Sequence, residues 1–451
     1  MTTVKYADLH FVYDRVYEGR HVPNGLASRG PMWQRFIRED AEYAERYCKT
    51  PLLALLDAEG ISYRQTLLSE AALDEQTVTP IYLLEMLYSF RVWLSQRSGE
   101  SFALNPFAQI SKEAIEAIRT GRLKLVITRL KRPERNGYQW DMFARVLGRL
   151  HEFSIPPEQV LFFGCGEDFT EHYRATLERR PDLPRLKGVV KFPYFERGWH
   201  SYFRHYLAHD QIYTPVESRE DVARVRPKKY LNFNREPRAH RRVVAGWLYK
   251  KGFIDQGLTS FPVPSGEFDP TKFDEYSEGV RDIFRDQRLV EFAEGDFTGF
   301  AKNTPYLVDA PDLLKLHISW CTKAPFRDTY FSILTERLYF SENGQALLTS
   351  KAFKAMSNMH PFVMVGAHRS LQFLREMGYR TFSPMIDERY DLEPNSDKRM
   401  WMILDEIERL IRLSDEEWLH LLASLMPVLE YNYQHLSERQ IVPLQRYLPG
   451  L

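Results

Sequence analysis

The chain reads as an α/β protein of the doubly wound kind, built from two Rossmann-like halves. Three observations predict this. Short apolar runs of strand length alternate with helix-period stretches from Leu123 to Phe192 and again from Lys228 to Val365, the pattern of parallel strands joined by crossover helices. Several of these runs stop at Gly or at a polar turn, as in Gly164-Cys165-Gly166 and Thr335-Glu336, which places polar groups at strand carboxyl ends, where open α/β sheets bind ligands. The length of 451 residues, with 44% hydrophobic and 27% charged residues, suits two to three globular domains.

Taken in order, residues 1–50 mix aromatic, His, Gly and Arg residues without a clear period and read only as an ordered extension. From Pro51 to Ser98 helix-like runs dominate: LLALLDAEG closes on a Gly cap, and IYLLEMLYSFRVWLSQR is apolar nearly all round, as a buried helix is. Residues 1–100 are therefore expected to form an additional N-terminal helical region.

Residues 101–222 form the first Rossmann-like domain. Ser111 caps a helix that closes at Gly121, Leu123–Ile127 is a strand, Lys131–Gly137 a charged loop, and a helix runs from Tyr138 to Phe153. A buried strand at Gln159–Phe163 leads to Glu167 and Asp168, and a short strand follows at Gly188–Phe192. His200, His205 and His209 invite a metal reading, but no carboxylate stands in a ligand-like register beside them, so aromatic–histidine packing is the reading adopted. Cys48, Cys165 and Cys321 are odd in number and far apart, as buried reduced thiols are. Pro215–Pro227 is the candidate linker.

Residues 223–395 form the second domain. A strand from Lys228 runs into a loop with Asn234, Arg235 and Arg238, then a helix from His240 to Lys250 and a strand at Leu258–Phe261. Pro262–Thr329 reads as a long polar insertion with little period. Tyr330–Leu334 is a strand whose carboxyl end carries Glu336, and Thr349 caps a helix through Ser350, Lys351 and on to Met356, whose first-turn amides suit an anion. His360-Pro361 stops that helix, Phe362–Val365 is a buried strand, Ser370–Met377 a helix, and Gly378 its C-terminal cap. In residues 396–451, Asn395 caps a helix over 397–413, and Ser414 with Glu417 makes a capping box for the next, to about Leu436. These C-terminal helices are expected to pack across both halves.

An ordered series within this second half resembles the donor-binding domain of GT-B glycosyltransferases, in particular a bacterial and bacteriophage family related to the fucosyltransferase-like proteins. The series is Thr335-Glu336 after a strand, Thr349-Ser350-Lys351 at a helix start, Pro361-Phe362 opening a strand that ends at Gly366, Gly378-Tyr379, and Ile386-Asp387-Glu388 before Tyr390-Asp391. A Pro-to-Asp segment at Thr304–Asp309 fits as well; the resemblance spans Lys229 to Arg412, with a fainter echo in Gly121–Glu196. It implies a GT-B-like fold with two Rossmann-like domains facing a cleft. It also implies a nucleotide sugar as donor substrate with no further cofactor, and a glycan or modified nucleobase as acceptor. Lys351 would face the diphosphate, Asn234, Arg235 and Arg238 would lie beside the donor phosphates, and Glu336 would meet ribose or sugar hydroxyls. The family usually reads Thr-Glu-Lys at the helix start, its Glu holding the ribose, and Ser350 stands there in this chain.

From the residues alone, Arg235 and Arg238 also fit a solvated basic helix start, and Glu336 a surface carboxylate paired with Arg337 or Arg389. Glu134 and Asp168 are the carboxylates offered as catalytic base for an acceptor hydroxyl. The chain contains no Asp-x-Asp, so the expected chemistry is metal-independent, and it contains no Gly-x-Ser-x-Gly, Walker loop or HExxH to start a hydrolase, NTPase or metalloprotease reading. Its 61 basic and 61 acidic residues give no net field toward nucleic acid or an anionic membrane. The first residues, MTTVKYADLHFVYDR, have no basic leader or apolar core, and no stretch approaches the ~20 apolar residues of a membrane span; a cytoplasmic location is expected. A catalytically degenerate binding or scaffold protein is the alternative class, suggested by Ser350.

Overall fold

The computed structural model describes residues 9–13, 16–17, 20–21, 52–53, 56, 61–75, 78–85, 107, 110–129, 136–164, 169–191, 224–234, 237–261, 279–302, 324–340 and 348–438. The chain divides into two compact units, Met1–Ser201 with Ile441–Leu451, and Tyr202–Gln440. Each contains its own all-parallel sheet, as the alternation of strands and helices predicts.

In the first unit β1 (Leu9–Tyr13) is followed by a small antiparallel pair, β2 (Val16–Tyr17) and β3 (Arg20–His21). The main sheet continues with β4 (Tyr63–Leu67), β5 (Ile81–Glu85), β6 (Lys124–Arg129), β7 (Val160–Gly164) and β8 (Gly188–Lys191), in the order β4-β1-β5-β6-β7-β8. Helices α1 (Lys112–Arg119), α2 (Asn136–Glu152) and α3 (Phe169–Arg179) belong to the same unit. Ser111 Oγ accepts from Ala114 N at 3.1 Å, the expected cap, and Gly121 ends the turn at φ 78°.

One expectation for this region is corrected. Ile81–Glu85, read as the start of a buried helix, is a strand paired in parallel with β1 and β6. Ile81, Tyr82, Leu83 and Leu84 are all buried, so the strand is covered on both faces and shows no alternation. An apolar run of that length does not separate strand from helix by period. Leu9–Tyr13, unassigned from sequence, is a strand of the same buried kind.

The second unit begins with β9 (Lys228–Phe233), α4 (Ala239–Lys250) and β10 (Gly257–Ser260). Four short helices follow, α5 (Val280–Ile283), α6 (Gln287–Glu291), α7 (Phe297–Ala301) and α8 (Ala324–Arg327), with a π-helical turn at Phe292–Asp296 between α6 and α7. Then come β11 (Thr329–Thr335), α9 (Ser350–Ser357), β12 (Phe362–Val365), α10 (Ser370–Glu376), α11 (Ser396–Arg412) and α12 (Asp415–Glu438). The sheet order is β10-β9-β11-β12, with every pair parallel.

Part of the segment read as polar and aperiodic is thus helical. Each helix there is only four or five residues long, and the π turn shifts the register between two of them, so no window carries a full helical period. Its apolar residues nonetheless close a core: Phe297 and Phe300 lie against Phe261, with ring centroids 5.2 and 5.7 Å away. Gly246 of α4 makes this approach feasible, since a Cβ there would stand 1.8 Å from the Phe292 carbonyl oxygen.

The C-terminal helices pack on the second sheet. Trp418 of α12 is fully buried and stacks on Tyr330 and Phe331 of β11 at 5.1 and 5.4 Å, while its indole N–H donates to Leu410 O at 2.9 Å. The predicted caps form: Asn395 Oδ1 accepts from Lys398 N at 3.0 Å, and Ser414 with Glu417 makes the reciprocal box. Among the described residues no helix is long and apolar enough to cross a membrane.

Counted along the chain within each sheet, the order begins 2-1-3-4 in both units. The chain runs outward from the first strand in one direction, then returns and builds in the other. The crevice above strands 1 and 3, here β9 and β11 in the second unit, is the position where such folds leave room for a ligand.

Candidate functional site

Two chain segments leave the sheet at that switch point, one after Phe233 and one after Thr335. Asn234 follows β9 directly and Glu336 follows β11 directly, so the topology brings together two residues about a hundred positions apart. The first turns of α4 and α9 supply the remaining groups.

Glu336 is the centre of the arrangement. Its side chain is 0% exposed, which removes the reading of a surface carboxylate paired with Arg337 or Arg389. Its backbone N–H donates to Val365 O at 2.9 Å. One carboxylate oxygen, Oε2, accepts from Thr349 N at 3.1 Å and from Thr349 Oγ1 at 2.6 Å. The other, Oε1, is buried and has no hydrogen-bond partner. Burial pushes the Glu336 carboxyl above its ordinary range, opposed by the Thr349 hydrogen bonds and by the charges of Lys351 and Arg241. A buried carboxylate with one unpaired oxygen is costly unless something else meets it.

Thr349 caps α9 as its position predicts: its Oγ1 accepts from Lys351 N at 3.4 Å while donating to Glu336. Ser350 is the first helical residue and half-buried. The Lys351 ammonium donates to Thr335 Oγ1 at 2.9 Å and to the Phe233 carbonyl, so it ties α9 to the carboxyl ends of both strands. Thr335 Oγ1 in turn donates to Asn234 Oδ1 at 2.5 Å, and Asn234 Nδ2 donates to Asn232 Oδ1. The result is one directional chain from Lys351 through Thr335 and Asn234 to Asn232, whose Nδ2 has no partner. Asn234 is therefore held within the sheet by both ends of its amide, and by Ser260 O, which accepts its backbone N–H at 2.7 Å.

The start of α4 faces the same place. Arg238 is the N-cap residue, half-buried and without a side-chain cap bond. His240 Nε2 lies 2.8 Å from Glu336 O; a carbonyl only accepts, so Nε2 carries the proton. Arg241 donates to Thr335 O and Glu336 O, both at 3.3 Å. Burial drives the His240 pKa well below the usual imidazole value, helped by the charges of Arg241, Arg238 and Lys351, which keeps the ring neutral. Two of these charges, Lys351 and Arg241, act on the buried Glu336 carboxyl as well.

Of the residues expected at the site, Asn234, Arg238, Glu336, Thr349, Ser350 and Lys351 all occur at this switch point. Arg235, Glu134 and Asp168 lie outside the described residues, as do Glu167, the three cysteines, His200, His205, His209 and Thr304–Asp309. The sequence reading set Thr335 at a strand's carboxyl end without a site role, and it missed Asn232, His240 and Arg241. Asn232 lies in β9 and Asn234 directly follows it, so the two stand two apart in extended chain and share a face, which is a usable signal. His240, Arg241 and Arg242 form a polar run at a helix start, and nothing in such a run announces that all three are buried. Among the described residues no three His, Cys, Asp or Glu side chains gather as metal ligands.

No protein-family model matches this chain, and no curated protein matches it.

Proposed function

We propose that the second unit binds a nucleotide-activated sugar at this switch point and that the protein is a glycosyltransferase. In this reading transfer is to a hydroxyl acceptor, with inversion and without a metal. The observation that carries it is the buried Glu336 carboxylate, with Oε1 unpartnered, beside the charges of Lys351 and Arg241. Such a site asks for a ligand with an anionic part for the cations and a hydroxyl donor for the carboxylate. A nucleoside diphosphate sugar has both, and its diphosphate suits the first-turn amides of α9. A surface polysaccharide or lipopolysaccharide is the proposed acceptor, and a modified base in phage DNA the alternative.

The test is a thermal-shift screen of the whole chain against nucleoside diphosphates and their sugars, with a chelator present. A ligand at about a hundredfold over its dissociation constant stabilises the native state by roughly 2.7 kcal/mol. The expected result is a shift with one nucleotide class, lost in Lys351→Ala. No shift with any, or a shift that survives Lys351→Ala unchanged, overturns the assignment.

One observation favours a second reading, a binding module without transfer. Lys351 is turned inward, its ammonium on Thr335 Oγ1 and the Phe233 carbonyl, as a structural lysine is. Donor binding with no release of nucleoside diphosphate over a range of glycan acceptors would select that reading.

A further inference from the structure

We propose that His240 is a positioning residue for Glu336: its imidazole N–H fixes the Glu336 peptide so that one carboxylate oxygen holds Thr349, the cap of α9, while the other, buried and unpartnered, is left for the ligand. This rests on the reading of Glu336 as the group that meets the donor.

Glu336 is held through both its backbone N–H and its carbonyl. Its N–H is fixed by Val365 O at 2.9 Å, which continues the β11–β12 pairing one residue past the strand. Its carbonyl lies outside the ladder and is held instead by α4, through His240 Nε2 at 2.8 Å and Arg241 Nη2 at 3.3 Å. With both peptide groups fixed, the side chain leaves from a defined point, and Thr349 takes Oε2.

The imidazole is itself clamped. It stacks on Tyr339 with centroids 5.5 Å apart and planes 17° from parallel. Tyr339 is held in turn: its OH donates to Ser396 O at 2.7 Å, its carbonyl accepts from Arg399 Nη2 at 2.7 Å, and the Arg399 guanidinium lies 4.5 Å above its ring. The Phe284 ring lies 5.4 Å from that of Tyr339 as well. His240, Tyr339 and Arg399 are all buried.

A histidine is an expensive choice for filling that space. Its Nδ1 is buried with no partner, a cost that phenylalanine or leucine would avoid. What those residues lack is the N–H that reaches the Glu336 carbonyl. The chemistry of the residue is therefore spent on that one bond, three residues before the wall formed by Tyr339.

The experiment compares His240→Phe, which keeps a ring against Tyr339 and removes the N–H, with His240→Gln, which keeps an N–H at similar reach. Dissociation constants for UDP and GDP are measured for each variant, alone and combined with Glu336→Gln. The expected result is at least a fivefold loss in His240→Phe, no further loss on adding Glu336→Gln, and binding within about twofold of wild type in His240→Gln, since residues acting through one group are not additive. Wild-type affinity in His240→Phe, or losses that multiply, overturns the proposal.

If the wild-type chain binds no nucleoside diphosphate of the thermal-shift screen, it is the donor reading that has failed, and positioning is then judged without ligand. The coupling between Glu336→Gln and Thr349→Val in chemical unfolding is measured in the wild-type, His240→Phe and His240→Gln backgrounds. It should be present in the first, absent in the second and restored in the third. A merely structural histidine would lower every stability and leave the coupling intact, which would overturn the proposal. Should His240→Phe not fold, Tyr339→Leu removes the wall behind the imidazole and is expected to abolish the same coupling.

Discussion

The two sheets share a strand order and differ in what they bury. In the first unit the strands at the switch point, β1 and β5, are filled by Phe11, Val12, Tyr13 and Ile81 to Leu84. Buried polar side chains among its described residues are His10, Thr128, His172 and Thr176, and His10 is answered by Thr66 Oγ1 at 2.7 Å. In the second unit the equivalent strands carry Asn232, Asn234, Thr335 and Glu336 at their carboxyl ends, with His240, Arg241 and Arg242 beside them. Topology provides a crevice in both cases, but only the side chains at the strand ends decide whether it is chemically equipped. Among the described residues, the difference teaches that the second unit gathers its polar load, which costs stability, at strand ends where a ligand can repay it.

That division can be broken by separating stability from binding. Phe143 of α2 is fully buried, with Phe162, Phe169 and Tyr173 around its ring at 5.6, 5.0 and 5.6 Å. Phe143→Ala is expected to cost about 3–5 kcal/mol, read by chemical denaturation. Nucleoside diphosphate binding by the native protein should be unchanged, because no group of the second switch point is touched. Loss of binding in folded Phe143→Ala would show that the first core does more than pack.

A smaller effect comes from the buried imidazoles of the second unit. His360 donates from Nε2 to Thr329 O at 2.7 Å, and its Nδ1 accepts from Ser332 Oγ at 2.8 Å; burial, with the Arg226 charge, pushes its pKa down to about 3. The folded ring stays neutral while the unfolded ring takes a proton near 6.5, so the unfolded state binds more protons in between. Its contribution to stability is complete above about pH 6.5 and falls by about 1.4 kcal/mol per unit as the pH drops toward 3. Glu336, Glu388 and Asp391, all raised by burial, act in the opposite sense: their contribution is complete below the ordinary carboxylate value and is lost as pH rises through their folded values. His360→Asn isolates the first effect. Its unfolding free energy should depend on pH less steeply than wild type between 6.5 and 5, by about 1.4 kcal/mol per unit; an unchanged slope would mean that His360 is not kept neutral by the fold.

How much of this was legible follows from the same contrast. Strands and caps of the second unit could be read because each is signalled locally: Thr349 before Ser350–Ser357, Gly378 at φ 89° after α10, and the apolar runs of β11 and β12. In the first unit β5 was read as helix because burial on both faces erases alternation, and β1 was not read at all. At the site, Glu336 and Lys351 were legible from their places at a strand end and a helix start. His240 and Thr335 were not, because their roles arise from pairing residues about a hundred positions apart, a relation the strand order creates and no local pattern encodes.

The smallest expected effect sharpens the contrast most. Ser350 is half-buried at the first position of α9, and the polar load beside it already includes one buried carboxylate. A glutamate there would lie by the positive end of the helix, a gain of about 0.3–1 kcal/mol, offset by repulsion from Glu336. In a protein that binds no nucleotide these are the only terms, so Ser350→Glu should leave stability within about 0.5 kcal/mol of wild type and create no ligand response. In a working donor site the added carboxylate can accept from a ribose hydroxyl, a charged hydrogen bond whose net worth is about 1.5–3 kcal/mol before its own desolvation is subtracted. A several-fold gain in nucleoside diphosphate affinity, without a matching gain in the stability of the free protein, is the outcome expected here. Unchanged affinity in a variant whose stability is also unchanged would place the ligand away from position 350.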